Sequence, residues 1–255
     1  MPAEGAAASV PAGHAVHWDA PPGIGALMTL RTGGQSRPPW DAFNLGDHVG
    51  DDPTVVLRHR DQLATRHGVR IAWLQQVHGC KVVNAAQHLD QPAQADASWT
   101  DQPGVACAVL VADCLPVLLA ARNGRAVGAA HAGWRGLAAG VVEAAVRAVA
   151  QAAGGGEEGV VAWLGPCIGP EAFEVGDDVA QAFGGGPRFS PSRRVDGSPA
   201  WRADLAGLAR DRLLAMGVTA VAGEGLCTVA DRSRFFSYRR DGRTGRMAAA
   251  VWLRG

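Results

Sequence analysis

Three residues with metal-binding side chains stand at the ends of apolar segments in this sequence. His78 lies in QQVHG, Cys114 in VADCLP and His131 in HAGWRG, each with glycine or proline within two residues. Because strand ends gather at one edge of a sheet, we expect the three side chains to converge. Two imidazoles and a thiolate suit Zn²⁺, and three protein ligands leave a position open, as in catalytic sites. The pattern predicts a catalytic metal centre; for each residue taken singly, packing in the core is the alternative.

Two charged residues adjoin these candidate ligands. Asp113 directly precedes Cys114, where a carboxylate can orient a histidine or act as a general acid–base; capping of the turn is the alternative. Arg135 stands where an apolar segment gives way to a helical pattern, and the free N–H groups of a helix start attract anions. Its guanidinium is expected to bind phosphate or carboxylate through paired hydrogen bonds, with a solvated surface arginine as the alternative.

The segments that must position these residues alternate between strand and helix patterns. Apolar runs predict strands at 24–31, 71–77, 81–85, 104–112, 116–121, 126–132, 159–164, 218–224 and 247–253. Helical spacing and capping residues predict helices at 51–68, 136–152, 178–184 and 202–217. Residues 71–77 and 81–85 are expected to pair around His78. The prediction is an α/β (α+β) fold: a single domain over 21–255 with a mixed sheet flanked by helices, after a flexible tail over 1–20.

Composition and charge exclude several classes of function. Of the 255 residues 47% are hydrophobic and 19% charged, and the formal net charge is zero, which predicts a soluble globular protein without affinity for nucleic acid or membranes. No signal peptide is recognisable, and the longest apolar run, 105–121, is interrupted by Asp113 and Pro116, so no transmembrane helix is expected. Five scattered cysteines favour a reducing, cytoplasmic location over a disulfide framework. We expect a small-molecule substrate and a monomer.

Six blocks occur together and in order over about residues 24–254: TLRTGGQS with FNLGDHVGD, QQVHG, VADCLPVLL, HAGWRG, GPCIGP and RFFSYRRDGRTGRMAA. The set resembles the YfiH family, also described as the polyphenol-oxidoreductase laccase or peptidoglycan editing factor family. One departure is Leu30, which stands before Arg31 where the family has threonine. The resemblance implies a YfiH-like fold and a metal site of His78, Cys114 and His131. The ion is expected to be Zn²⁺, with Cu²⁺ as the alternative suggested by the laccase label.

The resemblance also implies an activity on purine nucleosides. Adenosine, inosine and methylthioadenosine would be converted by phosphate to the free base and a sugar 1-phosphate, and adenosine would also be deaminated. Deamination would use water activated at the metal, with Asp113 moving the proton. Phosphorolysis would use Arg31 and Arg135 to hold phosphate. Asn44 would bond a ribose hydroxyl or a base edge, with a turn-forming role before Gly46 as the alternative.

Other functions stay open on the sequence alone. Cys114 with His131 as its base would suit a cysteine hydrolase or amidase that edits peptidoglycan precursors. A copper-dependent phenol oxidase would need more histidine clusters than the chain offers, and a binding module without catalysis is the last alternative. Residues 235–246 are expected either to close over a nucleoside or to form a hairpin with its turn at Asp241-Gly242. Cys167 is expected to line the pocket.

Overall fold

The computed structural model describes residues 13–255, which form fifteen strands and six α-helices. The strands are β1 (Ile24–Met28), β2 (Arg70–Ala72), β3 (Leu74–Gln75), β4 (Val82–Asn84), β5 (Ala93–Gln94), β6 (Ala97–Thr100), β7 (Val105–Val111), β8 (Leu115–Ala121), β9 (Val127–Ala132), β10 (Val160–Leu164), β11 (Glu174–Val175), β12 (Phe189–Arg193), β13 (Pro199–Ala203), β14 (Val221–Ala222) and β15 (Met247–Leu253). The helices are α1 (Pro53–His67), α2 (Trp134–Ala138), α3 (Val141–Ala153), α4 (Asp177–Ala182), α5 (Leu205–Ala215) and α6 (Tyr238–Asp241). Within this part of the chain no helix has the length and apolar character needed to cross a membrane.

Two mixed sheets lie face to face at the centre of the domain. The first has the order β1-β15-β7-β2, and the second has the order β14-β10-β8-β9-β6-β4. Every residue of β7 is buried because both of its faces are covered. Cys107 and Val109 belong to the core between the sheets, whereas Ala106 and Ala108 belong to the core on the outer face. Alternate side chains of β7 therefore pack into two different cores, one on each face of the sheet.

Helices cover the two outer faces of this sheet pair. Leu63 of α1 packs on the first sheet, and residues of α3 and α5 such as Val146 and Leu213 pack on the second. The layers therefore run α1, first sheet, second sheet, and α3 with α5. The predicted α/β class and single domain are confirmed, but ten strands form two packed sheets instead of one, and the other five form the small sheets β11-β13-β12 and β3-β5. Strand periodicity shows which face is apolar without showing which strands pair.

Helix ends follow local chemistry closely. The side chain of Asp52 caps α1 by accepting from the N–H of Thr54 at 2.8 Å, and the helix ends at Gly68, whose φ is +63°. The helix predicted over 136–152 is instead two helices, α2 and α3. Gly140 separates them with φ at +91°, a value that glycine adopts without strain and that interrupts a helix.

Two predicted hairpins are wrong. β4 pairs in parallel with β6, and β2 pairs in parallel with β7, so residues 76–81 form a loop between separate sheet regions. The segment around Asp241-Gly242 is not a hairpin turn, because α6 forms there and ends at Gly242. Sequence alternation does not distinguish a hairpin from two strands that find other neighbours.

The tail predicted over residues 1–20 lies partly outside the described residues. In its described part, the N–H of His14 donates to the carbonyl of Met28 at 2.7 Å. Val16 and Trp18 pack partly buried against the core between the sheets. Residues 13–20 therefore cover the edge of the first sheet at β1.

Candidate functional site

The three predicted ligands meet where the two main sheets approach each other. His78 lies in the loop after β3, Cys114 in the turn from β7 to β8, and His131 in β9. Their ligand atoms all lie within 4.8 Å of one another. Cys114 Sγ is 3.7 Å from His78 Nε2, and the two imidazole centroids are 4.8 Å apart at an angle of 73°. The structure therefore brings together one thiol and two imidazoles from distant parts of the chain.

A buried aspartate that the sequence analysis did not single out organises this cluster. Asp96 Oδ1 accepts from His131 Nδ1 and from the N–H of His78, both at 2.8 Å. Its Oδ2 accepts from the N–H groups of Val77 at 3.1 Å and Gly79 at 2.7 Å. The bond to Nδ1 leaves Nε2 of His131 as the ligand atom. Burial alone would raise the pKa of Asp96, but these hydrogen bonds, with that from His131 the strongest, lower it.

The charges of the cluster favour a thiolate. Burial disfavours ionisation of Cys114, yet the attraction of His131 and hydrogen bonds from both imidazoles lower the pKa of its thiol to about 6. Burial also disfavours the charged form of His131, but the Cys114 thiolate and Asp96 raise the pKa of this imidazole to about 9. The thiolate is the form that binds metals and attacks electrophiles, and a metal would displace the imidazolium proton.

Gly133 leaves the space that two ligand side chains occupy. Its φ of −66° is open to any residue. A Cβ at this position, however, would lie 2.7 Å from His78 Cδ2 and 3.0 Å from Cys114 Sγ, well inside the ordinary contact distance of about 3.5–4.0 Å. Glycine is therefore required at 133 by the close approach of the ligands.

Asp113 is held by contacts from three other parts of the chain. Its Oδ1 accepts from Thr228 Oγ1 and its Oδ2 from the N–H of Arg239, both at 2.6 Å, while its carbonyl accepts from the N–H of Ile168 at 2.8 Å. These bonds hold Asp113 at φ +94°, a conformation that costs a residue with a side chain about 1–3 kcal/mol. The contacts favour the capping alternative: Asp113 fixes the turn that carries Cys114.

Two cavities open beside the cluster, and Tyr238 lines both of them. The first, of about 240 Å³, has polar walls that include His48, Gln76 and Arg246. The second, of about 250 Å³, has aromatic and aliphatic walls and is also lined by exposed arginines; the residues are Trp134, Ile168, Phe173, Leu205, Arg135 and Arg239. His78 and Cys114 line both cavities. A bound molecule in either space would therefore contact the ligand cluster.

Comparison with known proteins identifies the family. The sequence profile described as multi-copper polyphenol oxidoreductase laccase matches residues 25–254. The chain belongs to this family. Purine nucleoside phosphorylase PA4543 of Pseudomonas aeruginosa is 50% identical over 238 residues, covering 92% of this chain and 96% of that protein. Purine nucleoside phosphorylase YfiH of Escherichia coli is 44% identical over the same shares of the two chains. The crystal structure of Neisseria meningitidis protein NMB0706 superposes with a TM-score of 0.87 at 45% identity, covering 94% of this chain and 98% of that one. The predicted resemblance to YfiH is confirmed.

The donor set of this laccase-family member fits a single borderline-soft ion. Zinc bonds of about 2.0 Å to nitrogen and about 2.3 Å to sulfur place tetrahedral ligand atoms about 3.3–3.6 Å apart. The separation of 3.7 Å between Cys114 and His78 is already close to this range. Within residues 13–255, the cluster is the one group of three or more such donors that could hold a metal. The described residues therefore provide no second ligand set for the several copper ions in the family's description.

Arg31, predicted to hold phosphate, does not line either cavity. Its Nε and Nη2 donate to the carbonyl of Asp41 at 3.0 and 2.8 Å, and its Nη1 donates to the carbonyl of Arg232 at 3.3 Å. The guanidinium also lies 4.8 Å above the ring of Phe236. These contacts join the loop after β1 to the segment before α6, so the side chain of Arg31 is engaged outside both cavities.

Asn44, predicted to contact substrate, is fully buried and has no polar atom to spare. Its Oδ1 accepts from the N–H groups of Gly46 at 2.9 Å and Arg246 at 2.8 Å. Its Nδ2 donates to the carbonyl of Gly46 at 3.0 Å and to Asp51 Oδ2 at 2.9 Å. The turn-forming alternative describes this residue, and its bond to Arg246 connects the turn to the first cavity.

The remaining predicted substrate ligand, Arg135, does line the site. It is exposed, and its guanidinium lies 4.5 Å from the ring of Trp134. From the segment 235–246, Tyr238 and Arg246 line the first cavity, and Tyr238 and Arg239 line the second; closure of this segment over a nucleoside stays a prediction. The sequence feature that pointed to Tyr238 and Arg246 is the mixture of aromatic and arginine residues in this block. The feature that could have pointed to Asp96 is a single acidic residue directly before a strand with alternating polarity.

Cys167 does not line either cavity at the ligand cluster. It is buried, pairs with Cys227 in an isolated parallel β-bridge, and lines a separate cavity of about 350 Å³ together with Arg188 and Arg210. The expectation that Cys167 lines a pocket thus applies to another cavity, not to either of those at the cluster.

Proposed function

We propose that this chain is a metal-dependent purine nucleoside phosphorylase that converts adenosine, inosine and methylthioadenosine to the free base and a sugar 1-phosphate. The observation that carries the proposal is the cluster of His78, Cys114 and His131 between one polar cavity and one aromatic cavity. The names of two relatives, both purine nucleoside phosphorylases at 44% and 50% identity, support the same activity.

The aromatic cavity suits the purine base. Trp134 and Phe173 offer flat apolar surfaces there, and Tyr238 adds a ring that is 61% exposed. Each ring also has an arginine guanidinium near its centroid: Arg135 at 4.5 Å from Trp134, Arg239 at 5.6 Å from Phe173 and Arg246 at 5.9 Å from Tyr238. Stacking of a heteroaromatic ring on such residues is favourable, and arginine can add a cation–π contact. Arg239 is tied to this wall by its bonds to the carbonyls of Ala172 at 3.3 Å and Glu174 at 3.0 Å.

The ligand cluster stands where the reacting groups would meet. His78, Cys114 and His131 would hold the ion, which when bound supplies Lewis acidity to oxygen atoms of the substrates. Asp96 keeps Nδ1 of His131 protonated and the ligand face free. Arg135 lines the aromatic cavity, where its guanidinium would donate hydrogen bonds to the sugar hydroxyls of the nucleoside.

Adenosine deamination is the second activity that we propose for the same site. Water replaces the amine at C6, and a residue must move a proton to the leaving group. Asp113 lines the aromatic cavity beside Cys114, but an acid–base role requires it to give up its bond to Thr228 or Arg239. We therefore assign Asp113 first to positioning Cys114.

The test is to replace Cys114 by alanine and to measure both bound zinc and inosine phosphorolysis, with replacement of the exposed Cys80 by serine as the matched control. We expect the Cys114→Ala protein to lose bound zinc and the phosphate-dependent release of hypoxanthine, and the control to keep both. Unchanged metal content together with full activity would remove the cluster from the mechanism.

A cysteine hydrolase acting on an amide of a peptidoglycan precursor is the second candidate. It is favoured by the line of groups from Asp96 through His131 to Cys114, in which the carboxylate is 2.8 Å from Nδ1 and the thiol pKa is lowered to about 6. This is the order of orienting group, base and nucleophile in cysteine hydrolases. Alkylation without metal removal should abolish such an activity, whereas a chelator should abolish the phosphorylase.

We further propose a cytoplasmic location and a monomer as the working unit. The five cysteines are all free, which suits a reducing compartment. The described residues of one chain supply the three ligands and both cavities. Cell fractionation and sedimentation of the purified protein would check the two points.

A further inference from the structure

Beside the aliphatic residues Leu110, Val111 and Ala112, the polar cavity has cationic and hydrogen-donating walls and no carboxylate among its described lining residues; its acidic group is the thiol of Cys114, which belongs to the ligand cluster. His48, His78, Tyr238 and Arg246 can all donate hydrogen bonds to a molecule in this space. Such walls raise the local concentration of anions. The aromatic cavity differs, because the carboxylate of Asp113 contributes to its wall.

Arg246 is the arginine of this cavity that lacks a carboxylate partner in direct contact. Its Nη1 donates to the carbonyls of Thr244 and Gly245, both at 3.0 Å, and its guanidinium lies 5.9 Å from the ring of Tyr238. Among residues 13–255 no carboxylate forms an ion pair with it within 4.0 Å, and the charges of Asp113 and Cys114 act on it from farther away. Other half-buried arginines do have a carboxylate partner: Arg60 lies 3.2 Å from Asp47 and Arg240 lies 2.7 Å from Asp241. Burial of a charge without a contacting counter-charge is unfavourable, so an anion bound in direct contact with this guanidinium would stabilise it.

The chain holds Arg246 rigidly in this place. Its N–H donates to buried Asn44 Oδ1 at 2.8 Å, and its carbonyl accepts from the N–H of Leu45 at 3.1 Å. Gly46 leaves room for the side chain, because a Cβ there would lie 2.8 Å from Arg246 Cγ. The FNLG segment therefore acts on the site by placing Arg246.

We propose that Arg246 binds the inorganic phosphate of the reaction, as a dianion held by its guanidinium in the polar cavity. Arginine binds phosphate oxygens with paired, charge-assisted hydrogen bonds. The reaction catalysed there rests on the proposed function, whereas the anion site rests on the cavity itself. Arg246 thus takes the phosphate-binding role predicted for Arg31, whose side chain is engaged outside the cavities. Arg135 would then contact the nucleoside.

This placement sets phosphate and purine in two separate cavities that share His78, Cys114 and Tyr238 in their walls, so the sugar would lie beside these residues. A phosphate oxygen forms the new bond to C1′ as the bond from C1′ to N9 breaks, and the electron pair of that bond stays on the purine. The proton of the hydrogen phosphate ion ends on the purine, so no further reactant is needed. Displacement of this kind requires nucleophile and leaving group on opposite faces of the sugar.

The experiment measures KM for phosphate and for inosine, bound zinc, and calorimetric binding of inorganic phosphate to the zinc-loaded protein without nucleoside. Arg246→Gln should raise KM for phosphate about 10–100-fold, the effect of losing charge-assisted hydrogen bonds, and leave zinc and KM for inosine near the wild-type values. Arg246→Lys should give a smaller increase. Arg243→Gln is the matched control, because Arg243 is exposed, stacks on Trp40 at 4.5 Å and lies outside the cavities.

Gly46→Ala provides a second perturbation that keeps the charge and moves the Arg246 side chain. It should also raise KM for phosphate, with circular dichroism and a melting curve to confirm folding. The proposal is overturned if Arg246→Gln keeps the wild-type affinity for phosphate, or if Arg135→Gln shows the increase instead. Absence of phosphate-dependent turnover in the wild type would defeat the phosphorylase alone, provided that calorimetric phosphate binding is present and is lost in Arg246→Gln. Absence of phosphate binding by the zinc-loaded wild type would defeat the anion site.

Discussion

Replacing Asp96 by asparagine should separate the hydrogen-bonding role of this carboxylate from its size. Asparagine has nearly the same shape, but one of its two polar atoms is a donor. Oδ1 accepts from His78 and His131, and Oδ2 accepts from Val77 and Gly79. Whichever way the amide is turned, two N–H groups that now meet an oxygen will meet an NH₂ group.

The size of the effect follows from this count. A buried donor left without an acceptor costs about 1–3 kcal/mol, so two such donors should lower the free energy of unfolding by about 2–6 kcal/mol. If the NH₂ group faces His131, the imidazole can accept at Nδ1 only by carrying its proton on Nε2, the nitrogen that a metal needs. Loss of an orienting partner of this kind lowers metal affinity by about 10–100-fold.

The Asp96 carboxylate also predicts an acid dependence. Burial raises its pKa, but the bonds from His131 and the backbone outweigh burial and lower the pKa from 3.8. Its contribution to stability is therefore present above pH 3.8 and is lost as the pH falls through the lowered value. Asp96→Asn should remove this part of the acid-induced loss of stability.

The assays are urea unfolding from neutral to acid pH and zinc titration of the metal-free protein. The matched control is Asp90→Asn, because Asp90 is an exposed acid whose pair with Arg70 spans 3.1 Å; surface pairs of this kind contribute little. An Asp96→Asn protein with the control's stability and zinc affinity would refute the role given to this residue.

Three further predictions concern the ligand cluster and the loop after β1. Gly133→Ala should lower zinc affinity at least tenfold in a metal titration while the protein stays folded. The reason is that its Cβ would lie 2.7 Å from His78 Cδ2, and metal sites tolerate ligand shifts of only about 0.2 Å. Unchanged zinc affinity would show that His78 can move aside without disturbing the metal site. Cys114→Ser should keep the fold by circular dichroism and lose zinc measured by elemental analysis, and retention of zinc would contradict ligation by sulfur. Burial lowers the pKa of His59 below 6.5, more than its backbone bond raises it, and Nε2 of this residue accepts from the N–H of Gln35 at 2.9 Å. Its stabilisation of that loop should therefore be present above pH 6.5 and lost as the pH falls through the lowered pKa, as hydrogen exchange at the Gln35 amide would report; pH-independent protection would contradict it.

The fold class and the ligand segments could be predicted because both depend on local pattern. Apolar runs such as 105–111 and 127–132 have the length and composition of buried strands, and His131 stands near the end of one of them. Cys114 follows another at a polar break. The capping of α1 by Asp52 with Pro53 is likewise a property of neighbouring residues.

The residues that position the ligands could not be predicted in the same way, because their roles depend on pairing between distant segments. Asp96 reaches His131 only because β6 runs antiparallel to β9. Arg246 enters the site because its backbone is bonded to Asn44, 202 residues earlier in the chain. Arg31 has the same side chain as Arg246, and the glycine turn beside it made it the better candidate for phosphate binding on sequence alone. Its loop, however, packs on another part of the surface.

The turn that carries Cys114 is also the point where the chain crosses from one central sheet to the other. An ion bound by Cys114 and His131 would connect this turn to β9. Its third ligand, His78, would connect both to the loop after β3. A bound ion would therefore stabilise the packing of the two sheets. At a free ion concentration of 100 times the dissociation constant, the free energy of unfolding would rise by about 2.7 kcal/mol. Removing the metal would therefore weaken the packing between the two sheets and also abolish catalysis.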